Sequence, residues 1–141
     1  MVEASQSQKT RLTTVVRVNG LDPEEWRKDP RHLYVGRRVY VRSGKFAGKI
    51  WPNSALGNPY PLARGASIDD RRNLIVQFER WVIADKHRMR QLENMCGKVL
   101  GCWCGHWDGV SQPRLLCHAA VYADWCNHLI RGEKPWELLL D

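Results

Sequence analysis

The sequence predicts an α/β fold, a small single domain in which helices pack on a short mixed sheet. Three observations carry that reading. β-Branched runs recur at residues 12–18, 33–37, 38–42 and 98–104. Apolar residues at helical spacing fill the stretch from Leu74 to Met95 and the one that follows Cys117. The length, 141 residues, suits one domain that buries its core without disulfides.

The elements follow in order. Residues 1–11 are polar and read as a disordered tail, so the folded domain is expected over 12–141. Residues 12–18 form the first strand, closed by the turn pair Asn19-Gly20. Residues 21–31 contain two prolines and make a loop with one helical turn from Pro23. Two strand segments follow at 33–37 and 38–42, the second alternating basic and apolar side chains as a half-exposed strand does. After a Gly- and Lys-containing turn at 43–49, residues 51–65 hold Pro52, Gly57, Pro59, Pro61 and Gly65 and predict a long functional loop. Ser67, with Asp70 three residues on, opens a helix running into the 80s, with a bend before a second segment that ends at Gly97. Residues 98–104 are the next strand, 105–114 a loop turning at Asp108-Gly109. A helix starts at Cys117 or His118, ends near Ile130 and stops at Gly132. Pro135 starts a short last helix over 136–140.

Composition narrows the function classes. No apolar run approaches the ~20 residues that cross a bilayer, and the polar N-terminus lacks a secretory segment. A soluble, cytoplasmic protein is expected. The net charge of +7 resides in the first half: residues 1–66 carry twelve Lys/Arg against five Asp/Glu. Such asymmetry suits a polyanion or a phosphorylated small molecule, and it equally suits a solvated basic surface.

Three of the five cysteines lie close together. Cys102-Trp103-Cys104 is followed, after twelve residues, by Cys117-His118. On a strand, Cys102 and Cys104 point to one face, while Cys117 and His118 sit where a loop enters a helix whose N-terminus favours a thiolate. A disulfide between next-but-one neighbours is strained, so reduced thiols or metal thiolates are expected. Two sulfurs from a strand end and one from a helix start can meet at ~2.3 Å from zinc, with His118 as the fourth ligand. Adjacent helical side chains diverge by about 100°, which makes His106 a competitor for that position. Sulfur-rich ligation favours zinc. Cys117 beside a histidine also fits a metal-free nucleophile, and plain buried cysteines would account for the same residues. Cys96 and Cys126 read as core.

A second constellation joins Val35-Gly36-Arg37 to Leu56-Gly57-Asn58-Pro59-Tyr60. A glycine next to Asn-Pro allows a tight turn that exposes amides; backed by Arg37 or Arg71, it would suit an anionic or sugar-like group. Taken alone, the same residues simply fix a turn.

Together these pieces resemble a small bacterial and phage family without established activity, the domain of unknown function family 4326. Its pattern is a Val-Gly-Arg strand, a Trp-Gly-Asn-Pro-Phe loop, an Arg-bearing helix start, then Gly-Lys-x-Leu-x-Cys-Trp-Cys and Cys-His. Here the matching parts are Val35-Gly36-Arg37, Gly57-Asn58-Pro59-Tyr60, Arg71 or Arg72, the run from Gly97 to Cys104, and Cys117-His118. The segment before Asn-Pro and the loop between Cys104 and Cys117 are longer than in that pattern, and the latter brings in His106, Trp107 and Asp108. The resemblance implies an α/β domain with a metal or thiol site.

The resulting expectation is a zinc-binding domain that binds or acts on a nucleotide or nucleic acid. Cys102, Cys104, Cys117 and His118 would hold the ion, and Gly36, Arg37, Asn58 and Arg71 would line the adjacent pocket. The alternatives are a non-enzymatic interaction module with a structural zinc and a metal-free Cys-His hydrolase or transferase. Asp69, Asp70 and Asp108 are the acids considered for a general base. Of the seven tryptophans, Trp81 and Trp125 fall in helical apolar patterns and are expected in the core. Trp51 and Trp107 are expected in loops, where they could stack on a base.

Overall fold

In a computed structural model the chain is described over residues 11–60, 65–111 and 117–139. Residues 1–10, which include most of the expected tail, and parts of both long loops lie outside these.

The β-branched run after Leu12 forms β1 (Thr14–Arg17). A short helix α1 (Pro23–Arg27) follows, capped by the Asp22 side chain with proline in its first turn. Next come β2 (His32–Tyr34), β3 (Val39–Tyr40) and β4 (Ile50–Trp51). The expected bent helix is two helices, α2 (Ile68–Ile83) and α3 (Lys86–Met95), because Asp85 caps a new start. Ser67 and Asp70 make the full reciprocal capping box. Strand β5 (Val99–Cys102), helix α4 (His118–Leu129) and a 3-10 turn (Pro135–Leu139) complete the order.

β5 lies between β1 and β2, parallel to both, so sequence neighbours are separated in space. Thr14 pairs with Val99 and Arg17 with Cys102; on the other side His32 pairs with Val99 and Tyr34 with Gly101. A central parallel strand is covered on both faces. Leu100 and Cys102 are accordingly fully buried. Gly101 faces Trp26 and Val18, where an added Cβ would stand 2.6 Å from the Trp26 ring. The fold is the expected small α/β domain: a three-stranded parallel sheet with helices, plus a separate antiparallel ribbon of β3 and β4.

Helix α4 is apolar nearly all round, from Ala119 to Cys126, as a helix between sheet and other helices must be. Its one buried amide, Asn127, accepts from Thr13 N–H at 2.7 Å through Oδ1 and donates to Thr13 O at 3.0 Å through Nδ2. Thr13 Oγ1 in turn accepts from Gly97 N–H at 2.8 Å. Gly97 has φ +78°, a left-handed geometry that lets the chain leave α3 and enter β5 at once.

Two expectations are corrected. Trp51 is not a loop residue: it pairs with Val39 in the ribbon and is fully buried against Tyr34 at a ring distance of 4.9 Å. Trp107 is also buried, in a bridge to Val15, with its indole N–H donating to Ser111 O. Neither ring is free to stack on a base. Trp125 lies in the core as expected; Trp81 is half-buried under the Arg88 guanidinium, 3.7 Å from its ring. Among the described residues no helix is long and apolar enough to cross a membrane.

Candidate metal centre

All three segments that bear the site leave the sheet at one end. β5 runs out at Cys102 and continues into Trp103 and Cys104. β2 runs out into Val35-Gly36-Arg37, and α4 begins there at Cys117. The carboxyl ends of parallel strands are where ligands collect in open α/β sheets. Backbone bonds fix the register: Val35 N–H donates to Gly101 O at 3.0 Å, and Val18 N–H to Cys102 O at 2.9 Å.

The sulfurs of Cys102, Cys104 and Cys117 lie within 4.8 Å of one another, close enough to hold one metal ion. Cys102 and Cys117 Sγ are 3.9 Å apart. Two sulfurs bound tetrahedrally at ~2.3 Å stand about 3.8 Å apart, whereas a disulfide needs ~2.05 Å. The spacing is too long for a disulfide and fits either a thiol–thiol hydrogen bond or two ligands of one ion. Cys102 and Cys117 are buried and Cys104 is exposed, so the cluster opens to solvent on one side.

The electrostatics match. The Cys102 thiol is pushed down to about 2, first by hydrogen bonds from the Cys104 and Cys117 thiols, then by the backbone N–H groups of Cys104 and Gly105. Cys104 is pushed up to about 12 by its bond to Cys102, though the Arg71 charge works the other way. Cys117 is pushed up further, by both neighbouring sulfurs and by burial. The three thiols are hydrogen-bonded to one another, in an arrangement that favours thiolate character at Cys102. A cation would take the place of the thiol protons.

Histidine does not join this group. His118 lies over the Phe78 ring, and its Nε2 is 2.6 Å from Val35 O. A carbonyl only accepts, so Nε2 carries the proton and Nδ1 is left as the acceptor. Burial holds the ring's pKa below its ordinary value. His106, the competitor, turns toward β1, where its Nδ1 accepts from Arg17 N–H at 3.3 Å. Among the described residues, the metal-sized group is the three cysteines.

A pocket of about 140 Å³ opens beside the cluster, and Gly36, Arg37, Asn58, Arg71, Cys104, Cys117 and His118 line it together with Trp103. Gly36, Arg37, Asn58 and Arg71 thus share a cavity wall with two of the three cysteines. The loop is held there by its own backbone: Ser54 N–H donates to Gly36 O, Tyr122 OH donates to Leu56 O at 2.9 Å, and Asn58 Oδ1 accepts from Tyr60 N–H. Gly36 has no room for a side chain, since a Cβ would lie 2.5 Å from Tyr34 Oη. That hydroxyl donates to Arg37 O and accepts from Trp103 Nε1 at 2.8 Å, coupling the pocket's arginine to the Cys-Trp-Cys segment. Sequence reasoning missed Tyr34; its place two residues before Gly36 was the available signal. The three acids considered as bases are absent from the pocket. Asp70 is spent on the capping box and Asp108 on the Val110 and Ser111 N–H groups, and Asp69 does not line the pocket.

A family model, "Domain of unknown function (DUF4326)", matches residues 18–128. No curated protein matches the chain, and no solved structure does.

Proposed function

The chain belongs to the DUF4326 family, and from that premise we propose that it is a zinc-binding domain that receives a nucleotide or a nucleic-acid end beside the metal. Cys102, Cys104 and Cys117 would hold the ion. The observation that carries the reading is a shared wall: Cys104 and Cys117 border the same pocket as Arg37, Asn58 and Arg71. An all-sulfur donor set fits zinc by softness. Bound through three thiolates, zinc would supply Lewis acidity at an open coordination position.

This chain's own residues do the rest. Arg37 and Arg71 supply two positive charges on the pocket wall, suited to a phosphate. The exposed side of Cys104 leaves the cluster accessible. His118, fixed through Nε2 to Val35 O, supplies a positioned imidazole to the pocket wall. An open cluster next to two arginines favours ligand binding over a purely structural zinc.

Elemental analysis of the purified protein tests this. One equivalent of zinc is expected, lost in Cys102→Ser and kept in Cys96→Ala. Arg71→Ala should keep the metal and bind adenosine monophosphate about tenfold more weakly, since a charged hydrogen-bonding partner is worth roughly 1.5 kcal/mol or more. Full metal content in Cys102→Ser, or none in the native protein, refutes the assignment.

A further inference from the structure

Trp103 is a wall with a cavity on each side. One is the pocket at the cysteines; the other, of about 380 Å³, is lined by the Asn19-Gly20-Leu21 turn, the ribbon from Val39 to Phe46, Trp51 and Trp103 itself. Trp103 is the residue the two cavities have in common.

The ribbon's chemistry is one-sided. Residues 37–49 contain five Lys/Arg and no Asp/Glu. Lys49 is engaged, 2.9 Å from Asp22 and 3.5 Å from Glu24. Arg38, Arg42 and Lys45 are exposed and make no ion pair among the described residues. Aromatic rings are interleaved with these charges. Tyr40 is 57% exposed, Phe46 lies beneath the Lys45 ammonium at 5.7 Å, and Trp103 is half-buried between the cavities.

Alternating cations and accessible rings along a concave surface match one polymer. Phosphates need the charges, and unpaired bases need the rings, because base–aromatic stacking is worth ~1–3 kcal/mol per base. A duplex keeps its bases stacked on one another and offers no face to Tyr40 or Trp103. An acidic peptide would meet the charges and leave the rings unused.

We propose that a single-stranded nucleic acid lies along the β3–β4 ribbon, its phosphates on Arg38, Arg42 and Lys45 and its bases against Tyr40, Phe46 and Trp103. Its leading nucleotide then passes Trp103 into the pocket beside Cys104. The inference rests on the reading above for that last step only; the ribbon contacts stand apart from the metal.

Fluorescence anisotropy with the full chain and a labelled twelve-nucleotide oligothymidylate, over a salt series, tests it. Tight binding to the single strand is expected, at least tenfold weaker to a duplex of the same length. Arg42→Glu combined with Lys45→Glu should weaken binding at least tenfold and flatten the salt slope by about 1.4, two contacts at ~0.7 each. Tyr40→Ala should weaken binding with the slope unchanged. All these side chains are exposed, and circular dichroism with zinc analysis checks that fold and metal survive. Equal affinity for duplex, or native affinity in the charge-reversed variant, overturns the inference. If the native protein lacks zinc yet binds the strand through the ribbon, the metal reading falls and this one stands. If adenosine monophosphate binds in an Arg71-dependent way while the oligonucleotide does not bind, the reverse holds.

Discussion

Replacing Asn127 by leucine removes a side chain that acts as the missing strand partner of Thr13. Its Oδ1 accepts from Thr13 N–H at 2.7 Å, and its Nδ2 donates to Thr13 O at 3.0 Å and Gly109 O at 3.4 Å. Thr13 is fully buried and Asn127 is 3% exposed, so water does not take over these bonds in the variant. Two backbone groups of Thr13 are orphaned at ~1–3 kcal/mol each, and leucine returns about 1 kcal/mol of apolar burial. The net expectation is a loss of about 3 kcal/mol, a fall in melting temperature on the order of 10 °C. Urea unfolding followed by tryptophan fluorescence should move to a lower midpoint at constant slope. Cys117 lies ten residues away along α4, about 15 Å, so reactivity of the three clustered thiols in dilute urea should match that of the native protein. A loss under about 1 kcal/mol at unchanged slope would refute the view that this amide clamps β1, the loop at Gly109 and α4 together.

Gly36→Ala drives a Cβ to 2.5 Å from Tyr34 Oη and costs two hydrogen bonds, about 2 kcal/mol; near-ultraviolet circular dichroism should report displaced Trp103 and Trp51 rings, and an unchanged spectrum contradicts the coupling. Ser67→Ala removes the capping box and should lower stability by about 1 kcal/mol in urea while metal content holds; a neutral result means that α2 does not need its cap. The Asp108 carboxyl is held down to about 2, first by the Ser111 hydroxyl and then by the Ser111 and Val110 N–H groups. Its folded value lies below the unfolded one, so its contribution is present above about pH 4 and lost as pH falls through about 2. Carbon-detected titration should find this carboxyl the last to protonate among the surface acids, and a midpoint near 4 would show the turn unformed.

The parts of this molecule legible in its sequence are those set by local chemistry. Ser67 with Asp70 announces a helix start because the capping box is a four-residue arrangement, and Gly97 before a β-branched run announces the turn into β5. Cys102, Cys104 and Cys117 were legible because two-residue spacing at a strand end and a helix start are both short-range geometry. Partners chosen at long range were not. Trp51 looked like loop because Pro52, Gly57 and Pro59 follow it, yet its pairing with Val39 across the ribbon buries it completely. Trp107 is drawn in by Val15, ninety-two residues earlier in the chain. His118 is adjacent to a thiol in sequence, but its ring answers to Val35 O, eighty-three residues earlier in the chain. Asn127 reads as one polar residue in an apolar helix; only the unpaired backbone of Thr13 explains it.

The position of β5 has a bearing on how the polypeptide acquires its shape. The sheet's middle strand is its last to be synthesised, and β1 and β2 have no pairing with each other to fall back on. Until residue 102 has left the ribosome, two ladder edges wait open, and sequence separations of some seventy to eighty-five residues make their closure slow. The same arrangement means that a polypeptide ending before Val99 keeps the β3–β4 ribbon but has no parallel sheet among the described residues, and that the strand which closes this sheet also carries Cys102 to its place at the sheet's end.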